Sequence, residues 1–162
     1  MYDSPASPTP AVQDYLRVIY ELTAAKCEDP PSGHVADRVA TSRLAERLDV
    51  RPASVTAMMQ KMAAADPALV DYHKSHGARL TPAGEAAALD VVRCHRLLET
   101  YLHEVFGYDR QEAHDEADRL EHGVGPALAE RIAAALGHPT HTPAGDPIPE
   151  MNETRMGMEK MD

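Results

Sequence analysis

Tryptophan is absent from this 162-residue sequence, phenylalanine occurs once, and aromatic residues make up only 4%. A core must therefore be packed from Leu, Val, Ala and Met, which the 43% apolar content allows for one ordinary domain or two small ones. Cysteine is scarce as well. Cys27 and Cys94 are too few for a disulfide framework, which fits a reducing cytoplasm. No apolar run approaches membrane-spanning length, and the N-terminus has no signal-peptide pattern, so a cytoplasmic location without a membrane partner is expected. Positive charge is also short: 16 Lys and Arg stand against 26 Asp and Glu, a formal net charge of -10. At first sight that argues against nucleic acid, which needs local positive potential. The average hides an asymmetry, however. Arg38, Arg43, Arg47, Arg51 and Lys61 meet only Glu46 and Asp49 between residues 38 and 61, whereas residues 104–122 are strongly acidic.

The periodicity predicts a mainly α chain. After a flexible lead to Pro10, a helix spans Ala11–Ala25 with Val12, Tyr15, Leu16, Ile19, Tyr20 and Leu22 on its apolar face. Lys26–Val39, with Asp29-Pro30-Pro31-Ser32-Gly33, reads as loop. Thr41 or Ser42 caps a short helix, Arg43–Leu48. Asp49 and Val50 turn the chain, and Pro52 opens a helix to about Ala64 with Val55, Met58, Met59 and Met62 inward. Leu69–His73 and Ala78–Leu80 form a hairpin around Ser75-His76-Gly77. Thr81-Pro82 starts a long helix to about Val105. Asp109 caps the next, Arg110–Val124, and Gly125-Pro126 begins a last one to Leu136. Thr140–Pro149 is irregular, and a polar, Met-rich tail follows. Short helix, turn, helix and hairpin in this order make a winged helix-turn-helix. The expected domains are a DNA-binding domain at 1–81, a helical dimerisation and metal-binding domain at 82–149, and a flexible tail at 150–162.

His114, Asp118, Glu121 and His122 stand at i, i+4, i+7 and i+8, which puts all four on one face of an α-helix. His95 and Glu99 form a second pair at i, i+4. Imidazoles and carboxylates converging in this way suit a divalent transition metal. On spacing alone a solvated acidic face, or a surface pair at His95 and Glu99, remains open. On the DNA side, Arg51, Pro52, Ser54 and Thr56 occupy the start of the second helix of the motif, whose N-terminal residues reach base edges. Lys61, and Lys74 and Arg79 on the wing, are candidates for phosphate contacts. The long helix carries Leu89, Val92, Leu97, Leu98, Tyr101, Leu102 and Val105, more apolar surface than one small domain buries alone, which predicts a homodimer.

Several motifs, in order from residue 14 to 149, make the chain resemble the diphtheria-toxin-repressor/manganese-transport-regulator family of metal-dependent transcriptional repressors. They are Asp14-Tyr15-Leu16-Arg17-Val18-Ile19-Tyr20-Glu21-Leu22, Leu44-Ala45-Glu46-Arg47-Leu48, Pro52-Ala53-Ser54-Val55-Thr56 and Leu80-Thr81-Pro82-Ala83-Gly84. His95-Arg96-Leu97-Leu98-Glu99, His114-Asp115-Glu116-Ala117, Leu120-Glu121-His122, Gly137-His138-Pro139 and Gly145-Asp146-Pro147-Ile148-Pro149 complete them. The resemblance implies a winged-helix domain, a helical dimerisation domain and two adjacent metal sites per protomer. Asp14, Asp118, Glu121 and His122 match the positions of one site. His95, Glu99 and His114 match the other, with Glu121 shared or close to both. Longer members carry a C-terminal SH3-like domain, and this sequence resembles the short, two-domain members.

Iron-type members of the family usually have Met where Asp14 stands and Cys where Asp118 stands, whereas manganese-type members have carboxylates at both. Hard carboxylate oxygens at these positions favour Mn(II). Some manganese members have Glu where Arg17 stands, and an arginine cannot ligate a cation, so the second site resembles the iron-type His95, Glu99 and His114 arrangement. The expected function is a Mn(II)-activated homodimeric repressor of metal-uptake or metal-homeostasis genes, binding a pseudo-palindromic duplex operator, and not an enzyme. The alternatives are an Fe(II)-responsive repressor of the same family and a di-metal hydrolase.

Overall fold

A computed structural model of the chain describes residues 8–24 and 38–151. The expected N-terminal lead up to residue 7, most of the loop with Cys27, and the Met-rich tail lie outside the described residues. The chain divides into two compact units at Ala88 and Leu89.

The first unit opens with α1 (Pro10–Ala24), α2 (Thr41–Leu48) and α3 (Pro52–Ala63). Strands β1 (Val70–His73) and β2 (Gly77–Leu80) pair antiparallel, with Asp71 opposite Arg79 and His73 opposite Gly77. Val39 forms a bridge to Ala78 on the same hairpin. Leu16, Ile19, Val39, Leu44, Val55 and Met59 are fully buried, so every element of the unit contributes to one aliphatic and Met core. The helix-turn-helix corner is set by Asp49 in the left-handed region, φ 51°, where the Val50 N–H closes on the Ala45 carbonyl at 3.0 Å. Pro52 at the first position then starts α3, with Arg51 as its N-cap residue.

The cap of α2 differs from expectation. Ala40 is the N-cap and no side chain caps it, so Thr41 and Ser42 lie inside the helix. Two glycines are required by close backbone approach. A Cβ at Gly77, φ +84°, would stand 2.2 Å from the Val39 carbonyl oxygen, and one at Gly84 would stand 1.8 Å from that of Leu69.

Helix α4 (Pro82–Phe106) starts as expected, the Thr81 hydroxyl accepting from the Gly84 N–H at 3.1 Å. The second unit contains most of α4, then α5 (Arg110–Leu120), a 3-10 turn (Glu121–Gly123) and α6 (Pro126–Ala135). Asp109 and Glu112 make a reciprocal capping box at the start of α5. Helix α5 ends four residues before the expected Val124, because the chain tightens into the 3-10 turn at Glu121.

Residues 140–149, expected to be irregular, form a pinned strap. His141 bridges Pro147, Ile148 is buried with Leu97, Ala129 and Ala133, and Arg93, Arg96 and Arg110 donate to the carbonyls of Pro149, Pro147 and Pro143. Much of the apolar surface of α4 before Val105 is likewise covered within the chain. Val92, Leu97, Leu98 and Leu102 are all buried, which removes the argument for a dimer drawn from them. Among the described residues, the large apolar side chains left exposed are Val50 in the first unit, and Val105, Phe106, Tyr108, Leu120 and Leu128 in the second.

Candidate metal centre

His95 is the hub of the second unit's polar cluster. It sits on the inward face of α4, one turn before Glu99, and is 3% exposed. Its Nδ1 lies 2.7 Å from Glu121 Oε2 and 3.3 Å from Asp118 Oδ1. Its Nε2 lies 3.2 Å from His114 Nδ1 and 3.7 Å from Glu99 Oε2. His114 in turn approaches Glu99 at 3.8 Å and Asp118 at 3.9 Å. The two imidazoles meet edge to face, their centroids 4.9 Å apart.

These contacts follow from local structure. His95 and Glu99 are one turn apart on α4, as are His114 and Asp118 on α5, so each pair shares a helix face. Glu121, the C-cap of α5, keeps helical dihedrals with its N–H on the Ala117 carbonyl and so continues the α5 stripe. Its side chain is 1% exposed, against 41% for Asp118, because it lies on the side of the stripe that packs against α4. His122, on the same turn, is 23% exposed with Nε2 3.9 Å from Glu121 Oε1. The expected face thus runs through His114, Asp118 and Glu121, with His122 on the 3-10 turn at its end, and α4 supplies the residue that ties it together.

The donor set suits a divalent cation. Two overlapping triplets, His95 with Glu99 and His114, and His95 with Asp118 and Glu121, each offer one donor atom per residue within 4.8 Å of one another. In a neutral imidazole one nitrogen donates and the other accepts. The Nδ1 of His95 faces carboxylate oxygens, which only accept; with the proton there, His95 offers its lone pair through Nε2 to the triplet with Glu99 and His114 and only a hydrogen bond to Asp118 and Glu121. Three carboxylates around two imidazoles form a focus of negative charge, and a buried carboxylate such as Glu121 needs a charged or hydrogen-bonding partner. Cys94, next to His95, stays out of this chemistry. Burial, with the Glu121 charge adding to it, pushes its thiol up to about 12, and its sulfur lies near the Glu121 and Val124 carbonyls at 3.8 and 3.9 Å.

The remaining predicted residues lie in the first unit. Asp14 is half-buried on α1. Arg17 is 7% exposed and reaches Glu21 at 3.5 Å, so its guanidinium serves an ion pair on α1. Arg51, Pro52 and Ser54 are exposed at the start of α3, as are Lys61 near its end and Lys74 and Arg79 on the hairpin. Thr56 is half-buried, its hydroxyl donating to the Pro52 carbonyl at 3.2 Å. Sequence reasoning passed over Asp71, whose carboxylate joins Arg38 and Arg79. Partial desolvation raises the pKa of this carboxyl, but the two guanidiniums outweigh it and hold the group below the ordinary carboxylate range. The cross-strand register of Asp71 with Arg79 was the signal that could have found it.

Two family models match. One, the N-terminal DNA-binding domain of iron-dependent repressors, matches residues 9–78, and the other, their metal-binding and dimerisation domain, matches residues 81–150. The transcriptional regulator MntR of Oceanobacillus iheyensis is 34% identical over 131 residues, 81% of this chain and 80% of that protein. The diphtheria toxin repressor of Corynebacterium efficiens is 33% identical over 146 residues, 90% of this chain. The chain spans only 58% of that repressor's length. Among solved structures, a manganese-dependent transcriptional repressor in complex with manganese superposes with a TM-score of 0.71 at 42% identity, covering 86% of this chain and 58% of its own.

Proposed function

The chain belongs to the diphtheria-toxin-repressor/manganese-transport-regulator family of metal-dependent transcriptional repressors, and from that premise we propose that it is a metal-activated homodimeric repressor that binds duplex DNA. The observation that carries this reading is the convergence of His95, Glu99, His114, Asp118 and Glu121 in one unit of a chain whose other unit exposes the start of a helix-turn-helix recognition helix. The di-metal hydrolase alternative falls with the family, whose members are transcriptional repressors.

The proposed ligands are Asp14, Asp118, Glu121 and His122 for one ion and His95, Glu99 and His114 for a second, two ions per protomer. Asp14 enters this set on the motif match alone, as the ligand from the DNA-reading unit. A divalent cation bound here would add positive charge where Glu99, Asp118 and Glu121 cluster. Glu121, accepting from His95 Nδ1, holds that ring so that Nε2 faces the second site. Ligands drawn from both units would favour one arrangement of the DNA-reading domain, so metal and DNA would strengthen each other's binding reciprocally. Arg51, Pro52, Ser54 and Thr56 are the proposed base-edge and phosphate contacts, with Lys61, Lys74 and Arg79 on the backbone. A two-fold dimer would read a pseudo-palindromic operator in the cytoplasm.

We propose Mn(II) as the physiological ion, because Asp14 and Asp118 offer hard oxygen donors. Fe(II) is the second reading, favoured by the iron-dependent repressors that the family models describe. The experiment is duplex binding by the full chain with Mn(II), Fe(II), Zn(II), Co(II) or no metal. Tight binding with Mn(II) and weak binding without metal is the expected result. Activation by Fe(II) alone would replace the manganese reading, and metal-independent binding would remove the switch.

A further inference from the structure

The outer face of the hairpin holds an arrangement that neither the core nor the metal centre requires. Asp71 on β1 stands directly opposite Arg79 on β2. Asp71 Oδ2 accepts from Arg79 Nε at 2.9 Å and from Arg38 Nη2 at 2.5 Å. Arg38 is largely buried, its side chain 16% exposed, and its Nη1 also donates to the carbonyls of Asp71 and Gly77 at 3.0 and 3.3 Å. Its guanidinium therefore ties the two strands together and backs the carboxylate. His73 approaches the other oxygen, Asp71 Oδ1, only to 3.9 Å.

Charge and geometry divide the work. Arg38 offsets Asp71, so the group of three keeps one net positive charge, and that charge sits on Arg79, whose side chain is 52% exposed. Asp71 grips Arg79 by its Nε edge. Among the described residues no contact is seen at the two terminal amino groups. A guanidinium held in this way presents a two-pronged donor that fits two phosphate oxygens. Fixing the long side chain in advance also lowers the ordering cost of binding. A carboxylate that merely competed with phosphate would occupy that fork, and this one does not.

We propose that Asp71, backed by buried Arg38, is a positioning residue that holds Arg79 by Nε so that its terminal amino groups are offered to a DNA phosphate. This rests on the DNA-binding reading above and adds to it the device that orients the wing.

The test uses the full chain with Mn(II) and a duplex that the wild-type protein selects from a random-sequence pool, with affinity measured across a range of KCl concentration. Arg79→Ala is expected to weaken binding about 5-fold and to reduce the salt slope by about one. Asp71→Asn adds positive charge to the wing, so simple electrostatics predicts tighter binding. Positioning predicts about 5-fold weaker binding, with the loss shrinking to less than about 2-fold when Arg79→Ala is already present. Arg79→Lys keeps the charge but has neither the Nε edge nor the fork, and is expected to keep the wild-type salt slope yet bind about as weakly as Asp71→Asn. This variant decides the matter even if Asp71→Asn loosens the hairpin in a thermal melt. Tighter or unchanged binding by Asp71→Asn in a folded hairpin, equal losses in both backgrounds, or wild-type affinity for Arg79→Lys would overturn the proposal. If the wild type binds DNA and Arg79→Ala costs nothing, the function stands and this inference falls. If the wild type selects no duplex with any of the four metals, the function fails and this inference with it.

Discussion

Asp14 and Asp118 are the residues on which the proposed metal choice turns. Asp118→Cys replaces a hard oxygen by a thiolate and should shift activation from Mn(II) towards softer ions, read as DNA affinity against each metal. Unchanged Mn(II) activation would remove Asp118 from the ligands. Asp14→Ala should leave the fold intact, since Asp14 lies outside the core cluster, while removing most metal-dependent DNA binding. The coupling at stake is about 1–3 kcal/mol, or roughly 5–150-fold in affinity. Asp14→Asn should recover part of it through its carbonyl oxygen. Identical Mn(II) titrations for all three proteins would show that the switch does not run through residue 14. Asp71 adds a pH dependence. Its carboxyl is held below the ordinary range in the fold, so it stabilises the protein above the unfolded pKa, and that contribution is lost as pH falls through the folded value. Asp71→Asn should therefore flatten the acid limb of a melting-temperature profile.

The elements were largely legible because their ends are written in local chemistry. Thr81-Pro82, the Asp109 capping box and Gly125-Pro126 all start helices where the sequence places them. The end of α5 was not legible. Gly123 and Gly125-Pro126 mark a break nearby without fixing the residue, and the 3-10 turn accompanies the burial of Glu121 against His95, a residue 26 positions away. The strap was hidden for a similar reason. Its Pro and Gly content reads as irregular, but the side chains that bury Ile148 and the three arginines that hold the strap's carbonyls come from distant helices. Gly84 is the most demanding point at this scale. Gly84→Ala would drive a methyl into the Leu69 carbonyl and should cost about 3 kcal/mol or more, seen as a large drop in the melting temperature. A wild-type melting curve would show that α4 can shift away from the hairpin at little cost.

At the scale of the whole molecule, the exposed apolar surface shares only Val105 with the α4 residues expected to need a partner. Phe106 is 63% exposed, Val105 52%, Leu128 49% and Leu120 42%, and these are candidates for a two-fold contact between second units. Analytical ultracentrifugation at micromolar concentration with Mn(II) should give a dimer, and Phe106→Glu with Leu128→Glu should give a monomer if these positions lie in the contact. A wild-type monomer would sink the homodimer. Adding a chelator should lower both DNA affinity and melting temperature, because a ligand that binds only the folded state stabilises it by mass action.

What the sequence determined by itself was periodic or local. Apolar spacing, capping residues and the turn at Asp49 set the helices and the winged helix-turn-helix, and the order of the motifs identified the family. The candidate ligands were visible as His and carboxylate pairs one helical turn apart. Tertiary structure decided how those pairs meet. It made His95 the shared hub, turned Glu121 inward and set Asp71 between two arginines. The physical reason is range. Helical propensity and capping act within one turn of chain, whereas the partner of a buried charge is chosen by whichever distant side chain the packed core brings within reach.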